Sequence, residues 1–252
     1  MLEIKNLAFS YNKKEEPVLK DISLSLNAGE IGILLGKNGS GKTTLFKNIL
    51  GLLSPNDGSI LFNNEDLLKK SEKDRAKIIS YVPQDIRFGE MSVFDSVLMG
   101  RIAYFNIRPS DADYEIVEKI LKDMELLKYA KRNVNALSGG EMQKVAIARA
   151  MAQEPKLLIF DEPTGNLDIL NEQYIIKEAK RLAKEKNIAI LCSVHDLNQA
   201  LAFGDKFFFL KDGAVYHSGN AESVNEEIIR DTFDIEVKIY EIENKKIIIG
   251  GL

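Results

Sequence analysis

Residues Gly36–Thr44 read Gly-Lys-Asn-Gly-Ser-Gly-Lys-Thr-Thr, after the apolar run Ile31-Gly-Ile-Leu-Leu35 and before Leu45-Phe-Lys-Asn-Ile-Leu50, which stops at Gly51. Strand, glycine-rich turn and helix start fall in the order that the GxxxxGK[ST] phosphate-binding pattern requires. Gly36, Gly39 and Gly41 permit a tight backbone whose N–H groups converge on one point, with Asn38 and Ser40 between them. A helix opening there adds the positive end of its dipole. Lys42 supplies a charge for β/γ-phosphates, the Thr43 hydroxyl can ligate Mg²⁺, and Thr44 follows in the first helical turn.

Outward from this loop the pattern is α/β. Leu2, Ile4, Ile22, Leu24 and Leu26 alternate with polar residues and predict half-buried strands, joined by Ser59–Phe62 after the turn Pro55-Asn-Asp-Gly58. Ile79–Val82 predicts a short strand stopped by Pro83, with Gln84 at its edge. Residues 85–153 carry helical spacing, with one amphipathic helix expected over Asp111–Tyr129 and another over Met142–Gln153. Lys156–Phe160 and Ile188–Val194 predict buried strands. Phe207–Leu210 and Ala214–Tyr216 flank Asp212-Gly213 as a hairpin, and a second hairpin is expected around Glu243–Lys246. Antiparallel pieces followed by buried strands that feed helices imply a mixed sheet.

Three further stretches carry chemistry. Leu137-Ser-Gly-Gly-Glu-Met-Gln143 contains a capping box, Ser138 to Glu141. A cap alone does not account for Gly139 and Gly140, each costing about 1 kcal/mol against alanine within a helix; bare N–H groups at a helix start suit an anion. Asp161-Glu162 ends the strand at Phe160. Neighbours on an extended chain point to opposite sides, so Asp161 is expected in a Mg²⁺ shell and Glu162 as the base that activates water. His195 ends the strand over Ile188–Val194, where it can hydrogen-bond a phosphate. Tyr11, read alone, is a tyrosine near a strand end.

Composition bounds the rest. The 252 residues can bury a substantial core, and 38 acidic against 34 basic residues give a net charge of −4, unsuited to a surface that grips nucleic acid throughout. The single cysteine, Cys192, excludes an internal disulfide and is expected buried in a strand. No apolar run approaches the roughly 18 residues of a membrane helix. The start, Met1–Tyr11, lacks a signal-peptide core, so a cytoplasmic protein is expected.

Together these motifs resemble the nucleotide-binding subunit of ATP-binding cassette (ABC) transporters over nearly the whole chain. GKNGSGKT resembles the Walker A loop, LLIFDE the Walker B strand and LSGGEMQ the cassette signature. Gln84 fits the Q-loop, His195 the switch histidine, Gly165-Asn-Leu-Asp168 the D-loop, and Tyr11 the aromatic that stacks on adenine. Gly165-Asn166 replaces the commoner Ser-Ala, and Glu141 the commoner glutamine. The resemblance implies a P-loop NTPase (RecA-like) core with a mixed sheet and an antiparallel β subdomain (residues 1–84 and 157–252), plus an inserted helical subdomain (85–156). It implies ATP and Mg²⁺ as cofactors, with Gln84 joining Thr43 and Asp161 at the metal.

It also implies a head-to-tail homodimer. Each ATP would lie between one copy's Walker A loop and the partner's Ser138, Gly139 and Gly140, with Asp168 bridging the sites. Glu162, His195, Lys42 and Gln84 would carry hydrolysis. Transmembrane permease subunits, and indirectly a substrate-binding protein, are the implied partners at the cytoplasmic face of the membrane. Val97-Leu-Met-Gly-Arg101, Pro109–Asp113 and the hairpin tail resemble importer subunits for iron-siderophore, haem or cobalamin uptake, with zinc, manganese and molybdate importers as alternatives. A genome-maintenance ATPase would need a long coiled coil between Thr44 and Lys156, where sustained heptads are absent. A regulator without turnover is at odds with retaining Lys42, Glu162 and His195 together.

Overall fold

The structure is a computed structural model that describes all residues except Lys13, Asn106, Asn166, Leu167, Asn244, Gly251 and Leu252. In chain order it begins with β1 (Leu2–Phe9), β2 (Leu19–Leu26), β3 (Ile31–Leu35), α1 (Lys42–Leu50), β4 (Asp57–Phe62) and β5 (Glu65–Asp66). Then come α2 (Glu72–Ala76), β6 (Ile79–Val82), α3 (Val93–Leu98), α4 (Asp111–Asp123), α5 (Gly139–Ala152), β7 (Leu157–Asp161) and α6 (Ile169–Lys186). β8 (Ala189–Ser193), α7 (Leu197–Phe203), β9 (Lys206–Lys211), β10 (Ala214–Gly219), α8 (Glu226–Phe233), β11 (Val237–Ile242) and β12 (Lys245–Gly250) follow. Two compact units emerge, Met1–Lys70 with Ala179–Leu252, and Ser71–Glu178.

The first unit holds an antiparallel sheet ordered β2-β1-β4-β5. Leu2 and Ile4 lie opposite Leu26 and Leu24, so the alternating apolar residues share one buried face. Beside it in this unit β10, β9, β3 and β8 run in that order, with β3 parallel to both β8 and β9 and only β10 antiparallel. Every residue of β3 and β8 is buried, as strands covered on both faces require. Cys192 is one of them. The turn of the β9–β10 hairpin places Asp212 and Gly213 at φ 49° and 83°, the left-handed pair that matches strand twist. In the second hairpin Lys245 and Lys246, expected in the turn, belong to β12 instead. α7 is tied to that hairpin by one side chain: the Asn198 amide donates to the Ile248 carbonyl at 2.9 Å and accepts from its N–H at 2.7 Å.

In the second unit β6 and β7 pair in parallel, with α5 packed on β6 and the Ser80 hydroxyl donating to the Ala150 carbonyl at 2.8 Å. Asp111–Tyr129 is not one helix. α4 ends at Asp123 because Glu125 turns left-handed at φ 59°, and a 3₁₀ turn covers Leu127–Tyr129. α6, α7 and α8 have no counterpart among the sequence-based expectations.

The helices of this unit close around a buried ion cluster. Arg101, 5% exposed, donates from Nε to Asp113 at 2.9 Å and from Nη1 to the Ala152 carbonyl and to Glu154. Its guanidinium lies 3.8 Å from the Tyr104 ring centroid. Burial alone would raise the Asp113 pKa, but hydrogen bonds from the Ser110 N–H and hydroxyl and from Arg101 hold it below the ordinary carboxylate value. Removing the cation strands a buried carboxylate. Arg101→Ala should therefore cost on the order of 3 kcal/mol in a urea denaturation, more than an exposed ion pair contributes.

Candidate active site

The phosphate loop follows β3 in the first unit. Gly39 and Gly41 sit at φ 82° and 104°, a region that other residues enter at a cost. Gly41 is the N-cap of α1 and brings no capping side chain, so no cap competes for the first N–H groups of that helix. Lys42 is buried, and its ammonium donates to the Gly36 and Lys37 carbonyls at 2.6 and 3.0 Å. The loop is thereby wrapped around a positive charge. Ser40 Oγ is buried without a hydrogen-bond partner among the described residues. Lys37 pairs with Asp234 beyond α8, and that hydrogen bond and charge hold the Asp234 carboxyl below its ordinary pKa.

Tyr11 and His195 belong to the same unit. The Tyr11 hydroxyl lies 3.1 Å from Thr44 Oγ1, and its ring, 59% exposed, meets Phe9 edge-on. His195 is exposed, in the turn between β8 and α7. Leu34 pairs with Ser193 across the parallel strands, so Gly36 and His195 each lie two residues beyond a matched pair. Both leave the sheet at one edge.

The carboxylates belong to the second unit. β7 ends at Asp161, which is 5% exposed and accepts a hydrogen bond from the Tyr81 hydroxyl of β6 at 3.2 Å. Burial, then the Asp161 charge and hydrogen bond, push the Tyr81 pKa upward, so its hydroxyl stays a donor. Glu162 is not extended as the alternation argument assumed. It lies in the left-handed region at φ 50°, where a non-glycine residue is held at a cost of roughly 1–2 kcal/mol. Its carboxylate accepts from the Gln84 amide. Two destinations for the carboxylates thus hold, but a turn rather than the strand pleat separates them. Val82 pairs with Phe160, and continuing that register by two residues sets Gln84 against Glu162.

The signature stretch opens α5 at Gly139, three residues earlier than expected. The capping box is present: Glu141 accepts from the Ser138 N–H and hydroxyl at 2.9 Å, while its own N–H points to Ser138 Oγ at 3.4 Å. The two glycines differ. A side chain at Gly139 would meet nothing within 4 Å, whereas at Gly140 it would strike the Asn171 amide at 2.3–2.4 Å. Asn171 in turn donates from its backbone and side-chain nitrogens to the two Asp168 oxygens at 2.8 and 2.9 Å. The expected anion approach suits Gly139; Gly140 already accommodates a side chain of its own copy. Asn166 and Leu167 of the proposed D-loop lie outside the described residues.

The ABC transporter family matches residues 19–165, more than half of the chain. This chain belongs to that family. An uncharacterized ABC transporter ATP-binding protein of Methanocaldococcus jannaschii is 40% identical over 99% of this chain and 97% of its own length. The iron(3+)-hydroxamate import ATP-binding protein FhuC of Bacillus subtilis is 34% identical, covering 94% and 89%. The phosphonates import ATP-binding protein PhnC of Fusobacterium nucleatum is 35% identical, covering 92% and 98%. Among solved structures, an inward-facing putative metal-chelate type ABC transporter aligns with TM-score 0.85 and 29% identity over all of this chain and 97% of that one. A dimeric bacterial ABC transporter cassette aligns with TM-score 0.77 and 30% identity over 87% and 98%. The fold is that of the ABC ATPases, with an antiparallel sheet subdomain, and this ABC cassette is an ATPase whose nucleotide is ATP.

Two residues of this cassette that act on expected site groups, Tyr81 and Asn171, are absent from the motifs. Both are visible only through pairing, Tyr81 through β6–β7 register and Asn171 through its fit on Gly140. Glu141 carries the largest carboxyl shift near the signature. A Tyr129 hydrogen bond, then those from the Ser138 N–H and hydroxyl, lower its pKa from 4.5 to about 2. A depressed folded pKa contributes stability that is complete above 4.5 and lost as pH falls toward 2. Glu141→Gln should therefore flatten the decline of unfolding free energy between pH 5 and pH 3, as measured by denaturant titration.

Proposed function

We propose that this cassette is the ATP-hydrolysing subunit of an importer that takes up a metal chelate of the iron-siderophore, haem or cobalamin type. The observation that carries the reading is the full-length likeness to a putative metal-chelate transporter, together with the iron(3+)-hydroxamate relative. The phosphonates relative at 35% identity supports a second reading, an importer of a different solute. Residues 85–156 act as the helical subdomain, and residues 1–84 and 157–252 as the β subdomain plus core. Among the described residues no helix is long and apolar enough to cross a membrane. The cassette then works at the cytoplasmic face on permease subunits, with a binding protein delivering cargo. Exposed Met99, Ile102 and Ile107 offer apolar surface for the permease.

Catalysis is assigned residue by residue. Lys42 and the loop N–H groups of Gly36–Thr44 hold the phosphates, and Tyr11 stacks on the adenine. Thr43, Gln84 and Asp161 supply the hydroxyl, amide and carboxylate oxygens that suit Mg²⁺, which when bound neutralises charge on the transferred phosphoryl group. Tyr81 supports that assignment by holding Asp161 in place. Glu162, oriented by Gln84, takes the proton of the attacking water as its oxygen bonds to the γ-phosphorus and the bridging P–O bond breaks, releasing ADP and phosphate. His195 hydrogen-bonds the γ-phosphate. In a head-to-tail dimer Ser138, Gly139 and Gly140 bind the partner's γ-phosphate, and Asp168 bridges the sites. The open space at Gly139 supports that contact. Loss of the γ-phosphate then loosens the dimer.

Glu162→Gln should bind ATP, lose about a hundredfold or more in turnover, and accumulate an ATP-bound dimer by light scattering. Unchanged turnover removes Glu162 from its role. Ser138→Arg should keep ATP binding to the single copy and abolish turnover; normal activity counts against the head-to-tail arrangement. Copurification from native membranes tests the partner. A many-helix permease with a chelate-binding protein supports the proposed cargo class, whereas recovery with a phosphonate-binding protein favours the second reading.

A further inference from the structure

The Asn171 amide is held from two sides. Asp168 accepts from it with both carboxylate oxygens, one taking the backbone N–H at 2.8 Å and the other the side-chain Nδ2 at 2.9 Å. On the other side its Cγ, Nδ2 and Oδ1 all lie 2.3–2.4 Å from where a Gly140 side chain would begin, so the amide lies against the bare backbone of the second residue of α5. The start of α6 and the start of α5 are thereby joined through one short side chain with little room to move.

A helix cap explains only half of this. Asp168 precedes α6, and its carbonyl accepts from the Glu172 N–H at 2.9 Å, so the carboxylate contact with Asn171 has a local use. The cap gives no reason for the amide to fill the space that a glycine vacates on another helix. We infer that Asn171 is a positioning residue: it makes the Asp168 carboxylate and the signature helix start move as one body, so that both engage the partner's nucleotide together. This rests on the head-to-tail reading above. Under that reading, residues 138–140 and Asp168 are the groups a cassette offers across the dimer, and Asn171 couples them within one chain.

The test uses the full chain and four variants. Asn171→Ala removes the coupling. Asn171→Asp introduces a carboxylate, which the helix start favours, but replaces the donor to Asp168 with a like charge. Gly140→Ala drives a methyl into the amide, and Gly140→Ala/Asn171→Ala removes what the methyl strikes. Turnover, the Hill coefficient for ATP, ATP binding by calorimetry, thermal unfolding, and ATP-dependent dimerisation in a Glu162→Gln background are measured for each.

The expected result is a loss of turnover of roughly fivefold or more in both Asn171 variants, with a lower Hill coefficient and weaker dimerisation. ATP affinity of the single copy and the unfolding midpoint should hold. The double variant should be no worse than Asn171→Ala alone, because the two positions form one contact. Wild-type turnover and dimerisation in Asn171→Asp would reduce the Asp168–Asn171 contact to a helix cap and overturn the inference. So would a double variant whose loss is the product of the two single losses. Ser138→Arg separates the two levels: if it turns over normally the head-to-tail reading fails, and if it is inactive while the Asn171 variants are unaffected, only the coupling fails.

Discussion

In a parallel pair both strands finish at the same edge, so the residues that follow them become neighbours however far apart they are in sequence. Leu34 opposite Ser193 brings the entry of the phosphate loop and His195 to one edge of the first unit. Val82 opposite Phe160 does the same for Gln84 and the Asp161-Glu162 pair in the second. β3, β7 and β8 are buried along their whole length, so each pair is held within the core up to the residue where its strand ends. The placement of the candidate site residues is therefore a by-product of core packing.

The starts of α1 and α5 are built in opposite ways. Gly41 opens α1 without a capping side chain, although a serine or aspartate there would satisfy an N–H group and stabilise the helix. α5 does the reverse, with a complete capping box, Ser138 to Glu141, around its two glycines. The contrast follows from what each helix start must offer. A capping side chain at Gly41 would take an N–H group that the phosphate-binding pattern reserves for an anion. The signature can keep its cap because Ser138 points into the helix start while Gly139 leaves the approach open.

The phosphate loop, the strands that flank it and the carboxylate pair were legible in the sequence because physical necessity restricts their residues. Glycine takes the loop's φ values at least cost, and unbroken apolar runs suit strands covered on both faces. The Asp-Gly hairpin and the Ser138 cap were legible for the same reason. α6 carries no motif, and its helical signal is only the buried stripe Ile175, Ala179, Leu182 and Ala183. Tyr81 and Asn171 were not legible at all. A tyrosine on a strand and an asparagine in a first helical turn are ordinary, and what makes them matter is a partner 80 residues away for Tyr81 and a vacated Cβ position for Asn171. The left-handed turn at Glu162 shows the limit of a local rule, because period-two alternation ends where the strand ends.

Two residues of the stretches that resemble metal-chelate importer subunits, Arg101 and Asp113, also serve the packing. Arg101, Tyr104 and Asp113 form the buried ion cluster, with Ser110 holding the Asp113 carboxylate. Their pattern shows how the segment after α3 is fastened to α4 and to the end of α5. A subunit that does not touch cargo can encode it only through surface shaped to a permease. On the helical unit the exposed apolar residues Met99, Ile102 and Ile107 lie within or close to the same segment as the cluster. The buried arginine therefore sets the scaffold on which those side chains are presented, so that a change in partner can alter the surface residues while leaving Arg101 and Asp113 in place.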